Sequence, residues 1–158
     1  MPGEAPPHSL ITVRAVPSAQ IIDLRHQVLR QGLPRSSAIF PGDDAPGAIH
    51  LAAFSGEKII GCATLHRNSF DHQAAFQLRG MAVEPSYQRH GVGALLLAEA
   101  ERRALADGVT TIWANCRTPA VPFYKKNGWQ IISAEFIIET AGPHFKMMKV
   151  IRASDMPA

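Results

Sequence analysis

Cysteine is scarce in this 158-residue sequence, with two residues, Cys62 and Cys116. They lie far apart in apolar, strand-like runs and without CxxC spacing, so neither a zinc site nor a redox pair is predicted, and reduced thiols are expected. No apolar run approaches the roughly 20 residues needed to cross a bilayer, and the opening MPGEAPPHSL lacks the basic start and apolar centre of a signal peptide. A cytoplasmic protein without a membrane partner is the expectation. An excess of one charge is missing too: 16 Lys and Arg against 13 Asp and Glu leave +3, with no basic run, so nucleic acid is not the expected partner. With 46% apolar and 18% charged residues, the composition excludes a disordered or coiled-coil chain and predicts one that folds by itself.

What the sequence has in quantity is punctuation, with twelve prolines and twelve glycines. Residues 1–8 read as a flexible tail, 9–151 as one domain and 152–158 as a second tail. LITVRAV predicts a strand, and Ser18 caps a predicted helix carrying Ile21, Ile22, Leu24, Val28 and Leu29. From Gly32 to Gly47 the chain is too interrupted for a regular element and reads as a loop. IHLAAF and KIIGCATLHR form a predicted hairpin across SGE, and AAFQLRGMAV is a longer strand. A helix opens at Gly91, with Gly93, Leu96, Leu97, Ala100 and Ala104 on its sheet-facing side. TTIWANC follows as a buried strand, then a short helix in AVPFYKKNG, then strands in WQIISAEFII and HFKMMKVI. Strand, helix, strand in that order demands a parallel crossover. The class is therefore α/β, of the α+β type, with a mixed, mostly antiparallel sheet.

The segment YQRHGVGALLL sets two glycines one residue apart where a helix begins. Helix N-termini present unpaired N–H groups and partial positive charge, so a tightly bent loop there cradles an anion. Gly91 allows a phosphate close to the backbone, Gly93 lets the helix settle on its strand, and Arg89 and His90 can add charge or donors. Glycines that merely relieve crowding at a helix start are the alternative reading. No GK[ST] phosphate loop and no early GxGxxG is present. In its setting after LRGMAV and before FYKKNGW, the segment Gln88, Arg89, His90, Gly91, Val92, Gly93 resembles the acetyl-CoA loop of the GNAT superfamily of N-acetyltransferases, of the form Q or R, x, x, G, x, G or A. AVPFYKKNGW resembles the helix that comes later in that family, and the GPH of AGPHFKM resembles an uncharacterised branch of it.

The resemblance spans about residues 9–151. It implies six to seven strands, about four helices and central parallel strands that splay apart. It also implies acetyl-CoA as cofactor, its pyrophosphate on the main chain of residues 89–94, which ends at Ala94. The pantetheine arm falls to Met81, Ala82 and Val83, with the Val83 N–H as oxyanion donor. By the same resemblance Tyr124 protonates the departing thiolate, Asn115 bonds the pantetheine, Phe123 packs on it and Lys126 meets a phosphate. A phenol of pKa near 10 suits that proton transfer. The implied activity is direct transfer of acetyl to a primary amine of a small molecule or peptide in a ternary complex. The alternative is a non-catalytic acyl-CoA-binding sensor of the same fold. Where some members carry a Glu base this chain has Gln77, so the base stays unassigned; Glu84 reads as a turn residue and His144 as a base or substrate contact. An acyl-Cys116 intermediate is disfavoured, because buried apolar cysteines are inert. Arg25, Arg30 and Asp43 or Asp44 are candidate acceptor contacts. No metal site is expected, and the acceptor's identity and the choice between monomer and homodimer stay open.

Overall fold

β-branched and aromatic runs bounded by glycine and proline form eight strands, and three runs with helical periodicity form helices, within residues 10–155, which the computed structural model describes. In chain order these are β1 (Ile11–Val16), α1 (Ile22–Leu29), β2 (Ile49–Ser55), β3 (Lys58–Arg67), β4 (Phe76–Val83), α2 (Val92–Ala106), β5 (Thr111–Arg117), α3 (Val121–Lys126), β6 (Gln130–Ile131), β7 (Phe136–Ile138) and β8 (Gly142–Val150). The strands hydrogen-bond in the order β1-β2-β3-β4-β5-β8-β6, with β7 also on β8. The sheet is mostly antiparallel, and β4 and β5 are its parallel pair, as the strand, helix, strand order requires. Parallel pairing is confined to Phe76–Ile112 and Gln77–Trp113 among the described residues.

Three details differ from expectation. Ser18 caps no helix: Ser18–Gln20 is a 3-10 turn whose Ser18 carbonyl accepts from the Ile21 N–H, and α1 starts only at Ile22. WQIISAEFII is not one strand, because the Ser133 hydroxyl takes the Lys146 N–H at 2.8 Å, a side chain standing where a main-chain partner would continue the ladder. It divides into β6 and β7, which raises the strand count from the expected six or seven to eight. Among the described residues the helices number three, with short 3-10 turns between elements.

By contacts the chain forms two compact units, one of residues up to His66 with Gly80–Ala100, the other of Arg67–Arg79 with residues from Glu101 onward. In the first, strand alternation sends Ala52, Phe54 and Cys62 to one face, where Ile21 and Leu24 of the α1 region close a core with Ala82. Gly61 and Ala53 face the other way, against Val92 and Leu96 of α2. In the second, β8 pairs with β5 over seven residue pairs from Thr111–Val150 to Arg117–His144. Trp113 is tied there by its indole N–H to the Asn68 carbonyl, 2.9 Å, and the buried Glu101 holds Lys149 at 2.8 Å. Among the described residues no helix is long and apolar enough to cross a membrane.

Candidate active site

In the first unit the phosphate-loop candidate lies between β4 and α2. Pro85–Tyr87 makes a 3-10 turn, and the Gln88 side chain donates back to the Val83 carbonyl at 3.0 Å, closing the corner. Arg89 and Gly91 both adopt left-handed backbone, φ 67° and 80°. Gly91 accepts this at no steric cost, whereas Arg89 does so under local strain. The first main-chain bond of α2 runs from the Leu95 N–H to the Gly91 carbonyl, 3.1 Å. The N–H groups of Val92, Gly93 and Ala94 precede it, so the helix offers them no partner. Gln88, Arg89, His90 and Gly91 are exposed around this end. A fifteen-residue helix adds its macrodipole, and the arrangement fits an anionic diphosphate.

The strand entering this corner is suited to hold a thioester by its main chain. The Glu84 N–H bonds the Ile60 carbonyl of β3 at 2.8 Å. Successive N–H groups of a strand point to opposite sides, so those of Val83 and Met81 point away from β3. Gly80, at φ 66°, breaks the extended backbone just before them.

In the second unit, directly opposed residues of β5 and β8 share a face of the sheet. Cys116, Ala114 and Ile112 lie on one face, and Tyr124 of α3 is buried beside Cys116, packed edge-on against Trp129 at 5.2 Å and Phe123 at 5.1 Å. Burial pushes the Tyr124 phenol above its ordinary value, and Cys116 adds to the rise; burial likewise pushes the Cys116 thiol to about 12. The opposite face carries Trp113, Asn115 and Arg117 of β5 and His144 and Lys146 of β8, with Arg117 directly across from His144. His144 is 4% exposed and stacked on Phe136. Its Nδ1 lies 2.8 Å from the Gly142 carbonyl, which accepts only, so Nδ1 donates, and in the neutral ring Nε2 carries the lone pair. Asn115 and Lys126 are exposed and Phe123 half-buried. Gln77 takes a bond from the Asn68 amide at 2.9 Å and has no basic role.

The acceptor contacts expected on and after α1 need correction at Arg25. It is fully buried: Nη1 donates to the Ala38 carbonyl at 2.8 Å and to Asp43 at 2.7 Å, and Nη2 donates to Thr64 at 2.7 Å. The cause is Asp43, itself buried, which draws the guanidinium inward; an acceptor has no access to it. Asp44 is exposed. Arg30 is half-buried, its guanidinium 5.3 Å from the Phe40 ring, which Arg25 covers at 4.0 Å. Two histidines that sequence reasoning passed over complete this group. His66 donates from Nε2 to Asp43 Oδ1 at 3.1 Å, and His50 donates from Nε2 to the Asp43 carbonyl and accepts from the Thr64 hydroxyl, each at 2.9 Å. The signal was available in the alternation His50-x-Ala52-x-Phe54 and Cys62-x-Thr64-x-His66, which puts polar groups on the α1 face. Burial raises the Asp43 carboxyl, but the bonds from Arg25, Phe40 N–H and His66 outweigh it and hold Asp43 below its ordinary value. Among the described residues no cluster of His, Cys, Asp or Glu is arranged to bind a metal ion.

A family model described as the acetyltransferase (GNAT) family matches residues 20–129. The uncharacterized N-acetyltransferase YitI of Bacillus subtilis (strain 168) is 28% identical over 148 residues, covering 92% of this chain and 99% of that protein. An aminoglycoside 6'-N-acetyltransferase complexed with coenzyme A superposes with TM-score 0.73 at 17% identity, covering 93% of this chain and 99% of the other. A GNAT family acetyltransferase from Elizabethkingia anophelis with acetyl-CoA bound gives TM-score 0.69 at 15% identity, over 90% of this chain and 99% of the other. At these identities the two structures establish likeness of fold.

Proposed function

The chain belongs to the acetyltransferase (GNAT) family, and from that premise we propose that it moves an acetyl group from acetyl-CoA directly to a primary amine of a small molecule or peptide. The observation that carries this reading is the bent, exposed loop of residues 88–91, which ends in the three N–H groups at the start of α2 to which the helix offers no partner. Acetyl-CoA brings the activated thioester, and the chain's own residues hold and orient it. The N–H groups of residues 89–94, with Arg89 and His90, hold the pyrophosphate, and Lys126 meets a phosphate. Met81, Ala82 and Val83 bind the pantetheine by main chain, helped by Asn115 and Phe123. The Val83 N–H would stabilise the charge that develops on the thioester oxygen.

Tyr124 gives its proton to the departing sulfur. A phenol raised by burial is a weaker acid, but a thiolate in the same surroundings is a stronger base, as the neighbouring Cys116 thiol at about 12 illustrates. The transfer thus stays nearly balanced. His144 takes the amine's proton at Nε2, the nitrogen left basic by the bond to Gly142. Arg30 borders the acceptor.

The test is a panel of amines read by free thiol released from acetyl-CoA, with Tyr124→Phe beside wild type. We expect the variant to lose at least tenfold in kcat while its calorimetric affinity for acetyl-CoA stays within twofold. Equal kcat removes Tyr124 from the acid role. Acetyl-CoA binding with no thiol release on any amine favours a sensor over an enzyme.

A further inference from the structure

The first unit buries a charged group that has no assigned part in acyl transfer. Arg25 is 0% exposed, and its Nη atoms donate to Ala38, Asp43 and Thr64. The Thr64 hydroxyl accepts from Arg25 Nη2 and lies 2.9 Å from His50 Nδ1, while His50 Nε2 donates to the Asp43 carbonyl. Asp43 Oδ2 also accepts from the Phe40 N–H, 2.8 Å, and the Phe40 ring lies under the guanidinium. Contacts from the loop after α1 and from β3 thus fix one side chain.

Arg25 Nε, by contrast, is buried and without a hydrogen-bond partner. Natural proteins satisfy nearly all buried polar groups, and an exception calls for a reason. Here Nε lies against Gly80 of β4: a Cβ built on Gly80 would come within 2.8 Å of it and within 3.1 Å of the Phe40 ring. Gly80 also holds φ 66°, a conformation other residues adopt only under strain. The guanidinium therefore occupies the room of the missing side chain, at the point where β4 leaves extended geometry. A buried ion pair is often no more stabilising than well-packed apolar residues of the same volume, so its presence is weak evidence for a purely stabilising role. An apolar side chain in its place would fill the volume without being locked in one orientation.

We propose that Arg25 is a positioning residue for transfer: locked by Asp43 and Thr64, its guanidinium sets the bend of β4 at Gly80 and so aims the N–H groups of Met81 and Val83. The step it serves rests on the acyl-transfer reading; the bend itself does not. Two readouts keep the two apart. The amide resonances of Met81, Ala82 and Val83, followed by NMR in Arg25→Met without any ligand, test the bend. They are expected to shift while those of Leu51 and Leu96 stay; unmoved Met81–Val83 resonances overturn the proposal whether or not the protein transfers acetyl.

The kinetic arm is a KM-against-kcat split. Arg25→Met paired with Asp43→Asn, which leaves no charge unpaired, is expected to lower kcat at least tenfold while acetyl-CoA affinity falls by clearly less than that. A folded double variant with undiminished kcat overturns the proposal. Should these variants not fold, Gly80→Ala displaces the guanidinium instead of removing it and carries the same expectations. Where all fold, the losses from Arg25→Met and Gly80→Ala should not add, since both disturb one contact; additive losses refute the matched pair.

Discussion

Gly61 of β3 gives a test of how the anion cradle is seated, at a position that touches no ligand. A Cβ at Gly61 would stand 2.8 Å from Val92 Cγ1, 3.1 Å from Leu96 Cδ1 and 3.4 Å from Ala53 Cβ. Carbon atoms settle at about 3.5–4.0 Å, so Val92 must recede by roughly 0.7 Å in Gly61→Ala. Leu96 can turn its end away, but a valine in a helix is confined to essentially one χ1 rotamer, so the start of α2 has to move with it. Overpacking of this kind costs about 1–3 kcal/mol, less ~0.4–1 kcal/mol regained because alanine restricts the unfolded chain. A net loss near 1.5 kcal/mol lowers Tm by about 3–6 °C in a chain of this size. Binding suffers more. A shift of that size carries an N–H···O bond from about 2.9 Å past 3.5 Å, where it ceases to be one. Losing one such bond to a charged group costs ~1.5–3 kcal/mol, so acetyl-CoA should bind about ten- to hundredfold more weakly by calorimetry. Val92→Ala deletes the obstructing methyl, and Gly61→Ala added to it should change affinity by less than about twofold, the size of the remaining non-additivity for sites that no longer touch. A Gly61→Ala protein with wild-type affinity and an unchanged or higher Tm refutes the reasoning, since the helix start then does not depend on this contact.

At Gly91, φ 80° leaves no unstrained place for a β-branched residue, so Gly91→Val should abolish calorimetric binding of acetyl-CoA while Tm falls by only a few degrees; undiminished affinity contradicts the cradle. Burial holds the Cys62 and Cys116 thiols at about 12, so at pH 8 alkylation, followed by mass spectrometry, should run about a thousandfold slower in the folded than in the unfolded protein. Prompt labelling of either thiol refutes their burial. Because these folded values exceed the unfolded ones, the stability they contribute is complete below about pH 8.5 and is lost as pH rises toward 12, visible as a falling alkaline Tm. Asp43 has the opposite sign: its folded value is depressed, so its contribution is present above the ordinary carboxyl value near 3.9 and is lost as pH falls through the folded one. Asp43→Asn, which strands the Arg25 charge, should cost about 3–5 kcal/mol at neutral pH and flatten the acid limb of the Tm profile; a full acid limb in that variant assigns it to other carboxylates.

Much of this architecture is legible in the sequence because the relevant signals are local. The strands of the hairpin, β4, α2 and β5 announce themselves by periodicity, and GVG marks the start of α2 to within a residue. The end of the chain is less legible. Nothing in WQIISAEFII reveals that the Ser133 hydroxyl will take the Lys146 N–H, because that depends on β8 lying alongside. Ser18 looks like a cap but is used for its carbonyl in a 3-10 turn. Arg25 is the larger lesson. On α1 it reads as one more surface charge, and only the convergence of Asp43, Thr64 and Gly80 from three distant stretches turns it inward. A single arginine carries no local sign of burial, whereas the alternating His50, Thr64 and His66 on an otherwise aliphatic face did carry one.

The placement of Tyr124 and His144 bears on how the proposed reaction keeps its protons in order. Acetyl transfer to an amine needs one proton removed from nitrogen and another supplied to sulfur. Cys116, beside Tyr124, and Arg117, across from His144, are consecutive residues of β5 and so point to opposite faces. The strand pair itself therefore stands between the phenol and the imidazole. Each is further fixed in the state its role requires. Burial keeps the phenol protonated, and the Gly142 carbonyl holds the imidazole proton on Nδ1, leaving Nε2 to accept. With the strand pair between them, the two groups do not both touch the one carbon that carries nitrogen and sulfur, so one of the two protons travels through water.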